Sequence, residues 1–316
     1  MKTIATIAAF ALTVFATPLA AQTWQPPGPD QRCPSKWGAG DERGAANHMN
    51  PQRVARAAQL IRTGQVFELG HVLSMDIPFF GTRRFDIHTK RTGGPMGSNK
   101  RITNEEWVIT EIGQVGTQFD MFSHQGIDGL LYNCFKSDEI ATRNGFTKLG
   151  VDKIGTLFTR GVLVDVAAVK GVDMLPAGYE ITVSDLQAAL SRQGVGLQPG
   201  DAVLIHSGYG KLWGVDNARY NRDIPGIGVP AAEWLAKQDV MLVGADTFAV
   251  EVAPNPDKSI SLPVHQIMLV VNGIFLLENL KLHELAESRA YEFAFVVQPL
   301  KVKGGTGSTV APVAVR

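Results

Sequence analysis

The sequence has little cysteine, no surplus of charge of either sign and, past its N-terminal segment, no apolar run long enough to span a bilayer. Each absence narrows the functions open to it. Among 316 residues, 30 Lys and Arg balance 30 Asp and Glu. Neither half carries a basic run, so neither a nucleic acid nor an anionic membrane is expected as a partner. The 2 cysteines, Cys33 and Cys134, lack CxxC spacing, which gives no support to a zinc knuckle or a thioredoxin-type site. Ser207 lacks the glycines of a nucleophile elbow. The segment from Gly304 to Ser308 lacks the lysine of a P-loop. What remains is ordinary globular composition, 45% hydrophobic and 19% charged, with ample length for a core.

The N-terminus reads as a targeting segment. Lys2 supplies a positive charge, Ile4 to Val14 an apolar stretch, and Thr17 to Ala21 small residues suited to cleavage. Residues 1–21 are therefore expected to be a signal peptide and 22–316 a single domain, periplasmic or secreted and free of the membrane after cleavage. In an oxidising compartment Cys33 and Cys134 are permitted to pair; two buried free thiols fit the sequence equally well.

Residues 22–34 are polar and proline-rich and read as an extended arm. Asn50 as N-cap, Pro51 at the first helical position and an apolar stripe through Val54, Ala57, Ala58 and Leu60 predict a helix over 51–62, stopped by Gly64. From Val66 to Gly126, short apolar alternations rich in Gly and Thr read as strands joined by long loops. After Gly161 strands are expected at 162–166, 202–206, 240–245, 274–277 and 292–297. Helices are expected at 184–193, with Ser184 and Gln187 at capping-box spacing, and at 230–237 and 264–271. Strand–helix alternation confined to the second half predicts an α/β domain with a mixed sheet and helices packed on one side.

Polar residues in apolar surroundings need partners, so each calls for an account. The densest cluster runs from Gln114 to Gly126. If extended, Gln114, Gln118, Asp120 and His124 share one face; if helical after Asp120, then Asp120 and His124 meet at i, i+4. Either way a carboxylate and an imidazole come together. Such a pair holds a divalent metal, supplies a base, or simply orders a loop through a hydrogen bond. Farther along, His265 precedes an apolar helix and Glu278 ends an apolar strand, where acids are rarely buried without a partner or a cation. Phe79 and Phe80, beside Asp76 and Pro78, are candidates for the wall of a pocket for a flat substrate. His206 reads as a core residue, Asp246 as a turn carboxylate and His88 as a surface imidazole.

Residues 114–124 resemble the signature His-x-Gly-Thr-His-x-Asp-x-Pro-x-His of the metal-dependent cyclase family of hydrolases, which includes kynurenine formamidase and isatin hydrolase. Gly116, Thr117, Asp120 and His124 match; Gln114 and Gln118 stand where the pattern has histidine, and Phe122 where it has proline. Trp37-Gly38, Asp41 to Asn47, Gly161 to Asp165, Gly200 to Ile205 and Pro299 to Ser308 carry the likeness over nearly all of residues 22–316. The resemblance implies a swivelling β/β/α-type fold and hydrolysis of an amide, formamide or lactam C–N bond through a metal-activated water. It places His265 and Glu278 as distal ligands beside Asp120, with His124 a ligand, the base that moves the proton, or both by turns. Glutamine oxygen is a weaker zinc ligand than imidazole. One divalent ion, manganese or zinc, is therefore expected, with Gln114 and Gln118 either weak ligands or contacts to substrate. The family also implies a homo-oligomer acting on a small molecule. The rival readings are a metal-dependent lyase or dehydratase on a small carbonyl compound, and a non-catalytic binding protein with a degenerate site.

Overall fold

The computed structural model describes residues 23–316; the expected signal peptide at 1–21 lies outside the described residues. In chain order the principal strands are β1 (Val66–Glu68), β2 (Phe85–Met96), β3 (Arg101–Thr110), β4 (Gln118–Asp120), β5 (Leu157–Asp165) and β6 (Ala202–His206). They continue with β7 (Leu242–Ala245), β8 (Phe275–Glu278), β9 (Glu292–Val297), β10 (Gly307–Thr309) and β11 (Val313–Val315). All but β2 and β3 form one nine-stranded sheet in the order β1-β11-β9-β5-β6-β7-β8-β4-β10.

The apolar runs explain the centre of this sheet. Strands β6, β7 and β8 are buried at every residue, and together with β5 they run parallel. Continuous hydrophobic sequence is what parallel strands covered on both faces require. The flanking strands add antiparallel, so the sheet is mixed, as the sequence predicts. The main helices are α1 (Pro51–Ala58), α2 (Val166–Lys170), α3 (Val183–Gln193), α4 (Val229–Lys237) and α5 (His283–Glu287). A further helical segment starts at Pro263–His265 and widens to π-helical turns over Gln266–Asn272. Helices α2, α3 and α4 and this segment pack in series.

Local chemistry corrects three boundaries. Asn50 caps α1 as expected, accepting from the Arg53 amide at 3.0 Å, but the helix ends at Ala58 because only Ala57 of its stripe is buried. The cap of α3 is Thr182, one turn-start earlier than expected: its Oγ1 accepts from Asp185 N at 3.2 Å and Asp185 Oδ2 accepts from Thr182 N at 3.0 Å. The N-terminal arm is not extended throughout. It makes a helical turn at Pro29–Arg32 and is tied down by a disulfide between Cys33 and Cys134.

Beneath the β4–β8 end of the sheet, Phe122 stacks on Phe275 at 4.5 Å and tilts against Tyr132 at 4.6 Å, all three buried. Burying such rings contributes about 1.5–3 kcal/mol each, which makes this end of the sheet a rigid floor. Strands β2 and β3 pair only with each other, in a long hairpin that leaves Ile87, Trp107, Val108 and Ile109 exposed. No helix among the described residues is long and apolar enough to cross a membrane.

Candidate metal centre

Strand pairing assembles the first part of the site. Strand β8 runs antiparallel to β4 with Glu278 opposite Gln118 and Leu276 opposite Asp120. Alternation along a strand then puts Gln118, Asp120 and Glu278 on one face. After β4 the chain turns, with His124 N donating to Met121 O at 2.8 Å, and the turn carries His124 back beside Asp120. The helical segment starting at Pro263 delivers His265, whose Nε2 lies 3.2 Å from Glu278 Oε1 and 3.6 Å from Asp120 Oδ2. Ligand atoms of Asp120, His124 and His265 all fall within 4.8 Å of one another.

The two glutamines at the signature's histidine positions serve the carboxylates. Gln114 Nε2 donates to Asp120 Oδ1 at 2.9 Å, and Gln118 Nε2 donates to Glu278 Oε2 at 2.6 Å. Asp120 Oδ2 is left buried without a hydrogen-bond partner. A carboxylate oxygen in that position is costly unless a cation or proton meets it, and the atoms facing it are imidazole nitrogens. This residue set fits a divalent cation: two carboxylates and two imidazoles offer the mixed oxygen and nitrogen donors that zinc and manganese accept.

Behind His265 stands Glu251, a fully buried acid that the sequence reading passed over. Its Oε1 lies 2.5 Å from His265 Nδ1 and accepts from His265 N at 3.1 Å, while Oε2 accepts from Val264 N at 3.2 Å. Two backbone features hold it there. Val250 has φ 61°, rare for a β-branched residue. A Cβ on Gly226 would lie 2.2 Å from the Glu251 carbonyl carbon, so only glycine permits the approach. The sequence signal was an acid inside the apolar run Ala249-Val250-Glu251-Val252, the same signal that marked Glu278.

Burial lowers the pKa of His124, and the charges of His265 and Arg83 add to that against the pull of Asp120. Glu278 is pushed up to about 7 by burial and by the neighbouring charge of Asp120. Burial would lower His265, but its hydrogen bonds to Glu251 and Glu278 override it and hold the imidazole well above its ordinary value.

A cavity of about 570 Å³ opens onto this cluster. Gln114, His124, His265 and Glu278 face it from the polar end, and Phe80, Phe248 and Arg83 line its wall. Phe79, expected in that wall, is not there. Adjacent residues of an extended loop point apart, so Phe79 packs with Ile77, Phe85 and Val115 instead. Gln118, expected to contact substrate, does not line the cavity either, because its amide is spent on Glu278 and Gln114. Arg83 and Phe248 carried no signal in the sequence. Elsewhere His206 is buried with Nδ1 2.8 Å from Asp165 Oδ1, Asp246 accepts from Ser207 N at 2.9 Å as a turn carboxylate, and His88 is exposed on β2.

A protein-family model described as "Putative cyclase" matches residues 67–252. No curated protein matches the chain. Among solved structures, the chain is 35% identical to a protein described as a novel cyclase, with TM-score 0.81 over 89% of this chain and 98% of the other. Isatin hydrolase A from Ralstonia solanacearum is similar at 24% identity and TM-score 0.59, covering 80% of this chain and 92% of its own. An isatin hydrolase bound to the product analogue thioisatinate aligns at 21% identity and TM-score 0.61, covering 84% of this chain and 98% of its own. At those two identities the likeness is one of fold.

Proposed function

The chain belongs to the cyclase family, and we propose that it is an exported, metal-dependent hydrolase that cleaves the C–N bond of a small amide, formamide or lactam. The observation that carries this reading is the buried, unpartnered Asp120 Oδ2 set among His124, His265 and Glu278. Asp120, His265 and Glu278 would hold a divalent cation, manganese or zinc, which would acidify a water and polarise a carbonyl beside the unligated His124.

The chain's own groups do the rest. Glu251 accepts the Nδ1 proton of His265, so that Nε2, which lies 3.2 Å from Glu278 Oε1, would turn its lone pair to a bound cation. Gln114 and Gln118 hold Asp120 and Glu278 by one oxygen each and keep the other oxygen facing inward. His124 is neutral at physiological pH because burial lowers its pKa. Its imidazole takes the proton from the attacking water and passes it to the departing nitrogen. Phe80 and Phe248, stacked at 5.0 Å, give the cavity an aromatic wall against which a flat substrate packs. The Cys33–Cys134 disulfide supports export, since such bonds persist in oxidising compartments.

Metal analysis of the purified protein is expected to give close to one equivalent of manganese or zinc per chain. Asp120→Ala should abolish uptake. His124→Ala should lower turnover on a panel of isatin, N-formylkynurenine and simple lactams by about 10²–10⁴-fold, with a smaller loss of metal. A protein that holds no metal, and whose melting temperature neither ion raises, would overturn the reading.

A further inference from the structure

Arg83 stands in the wall of the cavity without a counter-ion. Its neighbour Arg84 pairs with Asp86 at 3.2 Å, whereas Arg83 joins no ion pair among the described residues. Residue Arg83 is half-buried, and its guanidinium carbon lies 5.6 Å from the centroid of the Phe80 ring, which itself stacks on Phe248 with an interplanar angle of 25°. A cation partly withdrawn from water needs compensation, and an aromatic face offsets only part of that cost. Nor do the acids of the metal cluster supply it. A divalent cation held by Asp120 and Glu278 would neutralise both, and Asp223, the other acid lining the cavity, sits exposed beside Arg222.

We propose that the cavity takes an anionic substrate, a carboxylate attached to a flat ring, with Arg83 gripping the carboxylate and Phe80 and Phe248 covering the ring. This rests on the hydrolase reading above and specifies its substrate class. The planar fork of arginine matches the two oxygens of a carboxylate, and such charge-assisted pairs are short and strong. The cavity volume suits a substrate of one or two rings. With the carboxylate at Arg83 and the ring along the aromatic wall, the scissile amide faces Asp120 and His124 at the polar end.

Benzoate and its neutral isostere benzamide separate charge recognition from shape. Calorimetry on the metal-loaded protein is expected to show benzoate binding at least tenfold tighter than benzamide. Arg83→Met keeps the aliphatic stem over Phe80 and removes the charge; it should bring benzoate down to the level of benzamide with metal content unchanged. Arg83→Lys should restore part of the difference. Binding of benzoate should persist after treatment with EDTA, because the metal is not its anchor. Equal affinities for the two probes, benzoate binding indifferent to Arg83→Met, or benzoate binding lost with the metal would each overturn the proposal. A protein without metal that still discriminates benzoate through Arg83 would sink the hydrolase reading and leave the anion subsite standing.

Discussion

Glu251 makes three contacts with the start of one helical segment, and only the one to His265 Nδ1 bears on chemistry. A carboxylate there accepts the Nδ1 proton and fixes the tautomer that turns a lone pair toward Asp120 and Glu278. Glu251→Gln keeps the volume but offers an amide N–H to Nδ1, which favours the opposite tautomer and aims a proton at the metal position. Affinity for zinc or manganese, measured by competition with a chromophoric chelator, is expected to fall about 10–100-fold; an unchanged affinity would show that Glu251 only caps the helix. Single residues were also where the sequence was least complete. Glu278 was legible because an acid closing an apolar strand demands a partner. Glu251 carries that signature too, yet its role depends on the positive φ of Val250 and the close approach of Gly226, and nothing in the sequence encodes either. Of Phe79 and Phe80, only one could face the cavity, and the sequence offers no rule for choosing which.

Elements with strong periodicity were the easiest to read. Strands β6 to β9 and the bodies of helices α3 and α4 fall where apolar runs predict them, because their signals are local, whereas β5 begins at Leu157, ahead of the run at 162 that marks it. Strand β4 is different. It has only three residues, and its partners are β8 and β10, whose residues lie more than a hundred positions later. Its pairing is fixed by which buried surfaces fit, and no local pattern states it. The same distinction decides the cap of α3. Ser184 and Gln187 have capping-box spacing, but Thr182 and Asp185 do the work, while Ser184 is exposed within the first turn. Thr182→Ala is therefore expected to destabilise the fold by about 1 kcal/mol in urea titration. Ser184→Ala should leave the midpoint unchanged within about 0.5 kcal/mol. The reverse ranking would mean that the helix begins two residues later than described.

For the molecule as a whole, two imidazoles outside the metal centre, the buried His206 and the half-buried His71, pull stability in opposite directions with pH. Burial alone would lower His206, but its hydrogen bond to Asp165 and the charge of Asp246 raise it above its ordinary 6.5. Stability contributed by a raised histidine is complete below 6.5 and is lost as pH climbs through the folded value. His71 is the opposite case. Burial, followed by the charges of Lys281 and His283, drives it from 6.5 down to about 4, and its ring stacks on Trp213 at 4.3 Å with an 11° interplanar angle. Its contribution is complete above 6.5 and declines as pH falls toward 4, because only the unfolded chain takes up the proton across that interval. Each limb has a limiting slope of about 1.4 kcal/mol per pH unit for one proton. Urea midpoints measured from pH 4 to 9 in the presence of a chelator, which removes the titration of metal binding, should therefore trace a dome. His71→Phe keeps the aromatic stack and should flatten the acid limb between pH 6.5 and 4 while leaving the alkaline limb intact. His206→Asn should lower stability at pH 6 and flatten the alkaline limb. If His71→Phe instead falls as steeply as the parent between pH 6.5 and 4, protons are entering the unfolded chain elsewhere, and the stacked imidazole is not what weakens this fold in acid.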